Sequence, residues 1–292
     1  MAEWFPTNER AFATGIFNAG ASIGPILAPL LVPLIAVNYG WKMAFLLTGA
    51  SGLVWLIFWW FLYEVPERHP RLSPEELHMI RAGQFSADNE EKLEPPRWIT
   101  LFRYRGTWAF AVGKFLTDPV WWFYLFWLPA FLKAEYGLTG TGVSLPVALV
   151  FAISVVGSIV GGWLPLFFTR RGWSIYRARR TSMLIYAMAA LPVLIAQPAG
   201  MAGMWWAVLI IALAASAHAA WSANIYTTVS DIFPKRAVGS VIGIGGMAGA
   251  LGGMLVAKLA GALFEHYKSL GHIRTGYGIM FLFCGLAYLM AW

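Results

Sequence analysis

Long apolar stretches alternate with short polar or charged clusters along the whole chain, the pattern of a polypeptide that crosses a bilayer repeatedly. A hydrocarbon core about 30 Å thick needs about 20 mostly apolar helical residues. Eight stretches meet that need, at approximately 11–37, 42–63, 106–133, 143–168, 181–197, 203–232, 238–264 and 276–292. Backbone groups in lipid have no water to bond, so each stretch must close its hydrogen bonds within itself, and the pattern predicts an all-α polytopic membrane bundle. The first stretch lacks a basic leader and is too long and glycine-rich to be the core of a signal peptide.

One connection is much longer than the others, from about Glu64 to Arg105. Its segment VPERHPRLSPEELHMIRAG mixes both charge signs with prolines, and Ser73 followed by Glu76 predicts a capped surface helix over Pro74 to Arg81. A loop of this length is unusual between packed hairpins. The expected organisation is therefore a two-span amino-terminal part (1–63), a linker (64–105) and a six-helix bundle (106–292) whose last helix reads as truncated. Two spans cannot form a transport bundle alone, so the amino-terminal part reads as incomplete.

Composition narrows the class. Charged residues make up 12% of the chain and hydrophobic ones 59%, against about 25% charged in ordinary globular domains, which excludes soluble enzymes and nucleic-acid modules. The net charge of +7 describes orientation instead of a polyanionic partner. Counted over alternate connections, Lys and Arg fall 15 to 4. The basic set, including Arg68 to Arg105, Arg170 to Arg180 and Lys235–Arg236, therefore belongs on the cytoplasmic side. Trp4, Trp41, Trp98, Trp173 and Trp205 fall near span ends as interfacial anchors, and Lys258 is placed to snorkel to the outer interface. Cys284, the single cysteine, lies in an apolar run and reads as a buried apolar residue. The sequence carries no Walker loop, no H-E-x-x-H and no G-x-S-x-G, and neither cofactor nor metal is expected.

The opening AEWFPTNERAFATGIFNAGASIGPILAP, the segment KFLTDPVWWFYLFWLPAFL and the segment AHAAWSANIYTTVSDIFPKRAVGSVIGIGGMAG together resemble the major facilitator superfamily. Within it they are most similar to the anion:cation symporter branch and its bacterial hexuronate (galacturonate/glucuronate) transporters. The resemblance covers the whole chain. It implies a major facilitator fold in which the eight spans correspond to helices five to twelve of twelve, so that the chain reads as a fragment. It further implies a transporter in the bacterial inner membrane, no enzyme activity, a sugar-acid anion and protons as partners beside membrane lipid, no nucleic acid, and a monomer as the functional unit at full length. The second signature loop is degenerate, GGWLPLFFTRRG over Gly161 to Gly172, with Pro165 where an acid is expected, so a gating ion pair is not expected at that position.

Ionisable residues inside a span cost at least about 2.5–3.5 kcal/mol on insertion scales, which marks them as functional candidates. Lys114 and Asp118 are spaced i,i+4 on one helix face, about 12 and 18 Å into the span counted from Gly106. Trp121 and Trp122 are expected to continue that face. The set offers a cation for a substrate carboxylate, an acid that takes a proton and an aromatic surface for a sugar ring; the resemblance adds that hexuronate transporters carry a basic residue and an acid here. The alternative is that Lys114 and Asp118 only neutralise one another. Pro119 frees the carbonyl of Phe115 and can bend the helix. A second cluster, His218, Trp221, Ser222 and Asn224, sits near the middle of its span and suits sugar hydroxyls, or else serves as interhelical glue. Asn18 could contribute from the first span.

The glycines at 157 and 161, at 245, 249 and 253, and at 15, 20 and 24 are expected to let helix backbones approach closely. The function these features predict is proton-coupled uptake of a hexuronate by alternating access, with Asp118 as the proton site. Galactonate, glucarate or another organic anion is the alternative cargo, and an inert truncated fragment the alternative outcome.

Overall fold

The computed structural model describes residues 4–5, 10–21, 23–70, 72–82 and 98–292. Its helices are α1 Arg10–Ala21, α2 Ile23–Tyr39, α3 Trp41–Leu62, α4 Pro74–Ala82, α5 Trp98–Leu101, α6 Arg105–Tyr136, α7 Ser144–Arg170, α8 Ile175–Ala190, α9 Ala196–Met201, α10 Met204–Ile232, α11 Lys235–Ser269 and α12 Ile273–Ala291. Short 3-10 turns cover Pro66–Arg68, Gly140–Val143 and Leu191–Ile195, the last continuing α8 into α9. The all-α expectation holds, and span boundaries fall within a few residues of those predicted. The capping box also forms: the Glu76 N–H donates to Ser73 Oγ and the Ser73 N–H to Glu76 Oε2, each at 3.1 Å, opening α4.

One expectation changes. Among the described residues seven stretches, not eight, are long and apolar enough to cross a membrane, and α6 is not among them. Its length is ample, since 32 residues rise about 48 Å. What lowers its hydropathy is four tryptophans, two tyrosines and the charges of Lys114, Asp118, Lys133 and Glu135. Of these, Lys114 and Tyr124 are buried, beside Thr117, Val120, Phe123, Leu128 and Phe131 of the same helix, while Trp108 and Trp122 stay exposed. The helix ends at Gly137, whose left-handed φ of 67° lets its N–H close onto the carbonyl of Lys133.

Helices α6, α7, α8, α10, α11 and α12 enclose the core, in which Trp221, Tyr124, Tyr288, Phe131 and Phe151 are the largest fully buried side chains. Close backbone approach makes this packing possible. A Cβ on Gly157 would lie 2.3 Å from the backbone oxygen of Ser216, and one on Gly161 2.3 Å from Cα of Ala220, so α7 and α10 meet through those two glycines. Gly245, Gly252 and Gly253 of α11 face Phe110, the Phe115 carbonyl and Trp122 of α6. The Phe115 carbonyl is the one that Pro119 leaves without a helical donor, and Gly252 makes the room it occupies. Gly20 and Gly24 have nothing within 4 Å of an added Cβ among the described residues, so the close approach expected there is not formed by them; the surroundings of Gly15 lie outside the described residues. α1 and α2 pack along α7, while α3 touches mainly α2 and leaves Leu53, Trp55, Phe58, Trp60 and Phe61 exposed. At the outer ends of α6 and α12, Arg274 pairs with Glu135 at 2.6 Å.

Candidate functional site

The central charged residues come from α6. Lys114 is 3% exposed, and its ammonium reaches Asp118 Oδ1 at 2.7 Å one turn on. It also donates to the hydroxyl of Tyr226 on α10 at 2.8 Å and lies 4.3 Å from that ring's centroid. The i,i+4 spacing predicted the first contact; the second comes from antiparallel packing of α6 on α10. The same packing brings Trp121 onto His218, rings stacked at 5.1 Å with an 18° interplanar angle. His218 is buried, and its Nδ1 lies 2.7 Å from the hydroxyl of Tyr288 on α12. The result is two contact sets that follow one another along α6 and α10 and reach α12: Lys114, Asp118 and Tyr226, then Trp121, His218 and Tyr288.

Asp118 presses its other oxygen toward α11. A Cβ on Gly249 would fall 2.1 Å from Asp118 Oδ2, so this glycine sets where the carboxylate can sit. Gly249→Ala is expected to displace Asp118 and lower stability by about 1–3 kcal/mol, the usual cost of overpacking. Gly246→Ala, with nothing within 4 Å, is expected to be neutral or slightly stabilising. Thermal unfolding of the two variants beside the parent chain checks both; equal losses would show that Gly249 does not hold the carboxylate in place.

Of the remaining predicted site residues, Trp221 meets the second set at Tyr288, while Trp122 and Asn224 face other neighbours. Trp122 does not continue the face of Trp121: adjacent helical positions point about 100° apart, and Trp122 turns to α11, over Gly253, and stacks on Phe126 at 5.7 Å. Trp221 is buried edge-on to Tyr288, with ring centroids 5.5 Å apart. Asn224 is fully buried and its amide is committed, donating to the carbonyls of Gly161 at 2.7 Å and Ala220 at 3.0 Å. Its oxygen faces Arg179 of α8 at 3.5 Å. Tyr186 donates to the same Gly161 carbonyl at 2.9 Å, so α7, α8 and α10 are joined at one backbone oxygen. Ser222 is half-buried on α10. Asn18 lies on α1, and its side chain is outside the described residues.

Three partners were missed in the sequence. Tyr226 follows His218 and Ser222 at successive i+4 steps, a signal that was present on α10. Tyr288 had none, because its role depends on α12 lying beside α10. The ion pair of Arg179 with Asp231 joins the start of α8 to the end of α10. Pro165 itself is buried inside α7, so the ion pair at this end is made by two residues outside the signature loop.

Comparison with known proteins gives the same class. The sequence profile of the Major Facilitator Superfamily matches residues 1–257. The "Hexuronate transporter" of Escherichia coli (strain K12) is 31% identical over 268 residues, covering 90% of this chain and 61% of that protein. The "Galacturonate transporter" of Dickeya chrysanthemi is 37% identical over 172 residues, 58% of this chain and 49% of that protein. The "D-galactonate transporter" of Escherichia coli O6:H1 is 28% identical over 276 residues, covering 91% and 63%. The chain thus spans about half to three-fifths of the length of these relatives.

Proposed function

Because the chain belongs to the major facilitator superfamily, a multi-pass membrane family of transporters and not of enzymes, we propose that it serves the uptake of a sugar-acid anion, a hexuronate, by proton symport in the bacterial inner membrane. The observation that carries this reading is the buried pairing of Lys114 with Asp118. Its ammonium is buried against Asp118 and Tyr226, so a substrate carboxylate gains that cation in competition with the Asp118 carboxylate. Two carboxylates cannot share one buried cation without an uncompensated negative charge, which costs several kcal/mol in a low-dielectric interior. A proton on Asp118 removes that charge. Substrate binding and protonation are thereby coupled at one residue pair, and each favours the other by the same factor.

In this mechanism Lys114 holds the carboxylate, and Tyr226 keeps the ammonium oriented while its acid partner changes. The stacked Trp121 and His218 present an aromatic surface and an imidazole to the sugar ring and its hydroxyls. Tyr288 fixes the orientation of His218. Release of the proton to the cytoplasm restores the Lys114–Asp118 pair, which expels the substrate. Asn224 acts apart from this cycle, joining α10 to α7 and α8. Asn224→Ala is expected to cost about 1–3 kcal/mol, since it strips a buried hydrogen-bonding hub, while galacturonate affinity stays within about twofold. Thermal unfolding and isothermal titration read the two quantities separately, and a large affinity loss at unchanged stability would return Asn224 to the substrate site.

The chain in proteoliposomes with an inward proton gradient tests the whole reading. Labelled galacturonate is expected to accumulate, and unlabelled glucuronate to compete more strongly than galactonate or glucarate. Stronger competition by galactonate would change the cargo. Neither accumulation nor binding of any sugar acid would overturn the proposal.

A further inference from the structure

The cytoplasmic end of the six-helix bundle holds a cavity of about 950 Å³ that the mechanism above leaves unused. It lies between the start of α6, the start of α8, the end of α10 and the end of α12. The size is at the upper end of the about 300–1,000 Å³ typical of ligand cavities. Its walls are mostly apolar, with Phe110, Met183, Ile225 and Val229 among them, which offers little to the hydroxyls of a sugar acid. Around the mouth, Ile175, Tyr176 and Ile232 are exposed, at the level where the charge distribution places the membrane's inner interface.

Two arginines add charge to this apolar space. Arg179 and Arg180 both line it. Arg179 is 8% exposed and held by Asp231, while Arg180 is exposed, lies 4.8 Å over the ring of Trp292 and has no carboxylate within ion-pair distance among the described residues. At the inner wall, Trp221 is 1% exposed. An acyl chain matches the walls, and a phosphate matches Arg180. Basic pockets between transmembrane helices on the cytoplasmic side favour anionic lipid head groups for these reasons.

We infer that this cavity is a binding site for an anionic phospholipid of the cytoplasmic leaflet, with the acyl chain between α6, α8, α10 and α12 and the phosphate on Arg180. The inference is independent of the substrate reading, because it uses neither Lys114 nor Asp118.

Native mass spectrometry of the purified chain with added lipid tests it. Phosphatidylglycerol is expected to be retained more tightly than phosphatidylethanolamine of the same chain length. Arg180→Gln is expected to lower phosphatidylglycerol affinity about fivefold, the effect of one basic residue near a membrane surface. Ala109→Trp, which places a large ring in the cavity wall, is expected to lower it as well. Arg177→Gln, on the same basic turn but outside the cavity lining, serves as the control and is expected to change nothing. Equal retention of the two lipids, an equal loss in Arg177→Gln, or displacement of the lipid by glycerol 3-phosphate or by galacturonate would each overturn the assignment.

Discussion

Replacing Lys114 with Met is expected to weaken galacturonate binding at least about 100-fold, the scale found when one partner of a buried, hydrogen-bonded charge pair is truncated. The size of the effect follows from where the ammonium sits. It is buried, and both of its identified partners, Asp118 at 2.7 Å and Tyr226 at 2.8 Å, lie inside the bundle. The substitution removes the cation paired with Asp118 and leaves that carboxylate without its counter-charge. Stability is expected to fall too, by about 3 kcal/mol, at the low end of the range for breaking a buried pair because the Asp118 side chain keeps 19% of its exposure. The double variant Lys114→Met with Asp118→Asn is expected to regain most of that stability, since no unpaired charge remains, and none of the affinity. Thermal unfolding together with titration calorimetry separates the two effects. Recovery of affinity in the double variant would show that Lys114 acts only to neutralise Asp118.

Asp118→Asn alone is expected to do the converse. Asn keeps the shape and a hydrogen-bond acceptor for Lys114 but cannot take up the proton, and it resembles the protonated carboxyl that accompanies bound substrate. Galacturonate affinity is expected to stay within a few-fold of the parent and to lose its pH dependence. Accumulation driven by a proton gradient is expected to fall to background, a loss of at least about 100-fold, while exchange of internal for external galacturonate continues. The sign for the parent chain follows from linkage: if binding takes up a proton, affinity falls as pH rises. Gradient-driven accumulation at parental level in Asp118→Asn would remove the proton role from this residue.

Much of this arrangement is written locally in the chain. Apolar stretches marked the helices because lipid and protein interior both demand continuous hydrogen-bonded spans, and among the described helices α6 departed, by carrying charges and aromatics of which Lys114 and Tyr124 are buried in the bundle. The i,i+4 spacing of Lys114 and Asp118 was enough to predict their contact, and Ser73 with Glu76 enough to predict a capped helix. What could not be read was which helices are neighbours. The bond from Lys114 to Tyr226 spans 112 residues, and that from His218 to Tyr288 spans 70. For the same reason the arc of His218, Trp221 and Asn224 looked like one site in sequence. The neighbours differ: Asn224 meets α7 and α8, whereas His218 and Trp221 both meet Tyr288 of α12, His218 also stacking on Trp121 of α6.

The account rests on exchange of one carboxylate for another at Lys114, and the proton count on binding reads that exchange directly. Titration of the purified chain with galacturonate in lightly buffered solution, followed by a pH indicator, is expected to show one proton taken up for each substrate bound, and none in Asp118→Asn. Binding of galacturonate to the parent chain with no uptake of protons at any pH would contradict it.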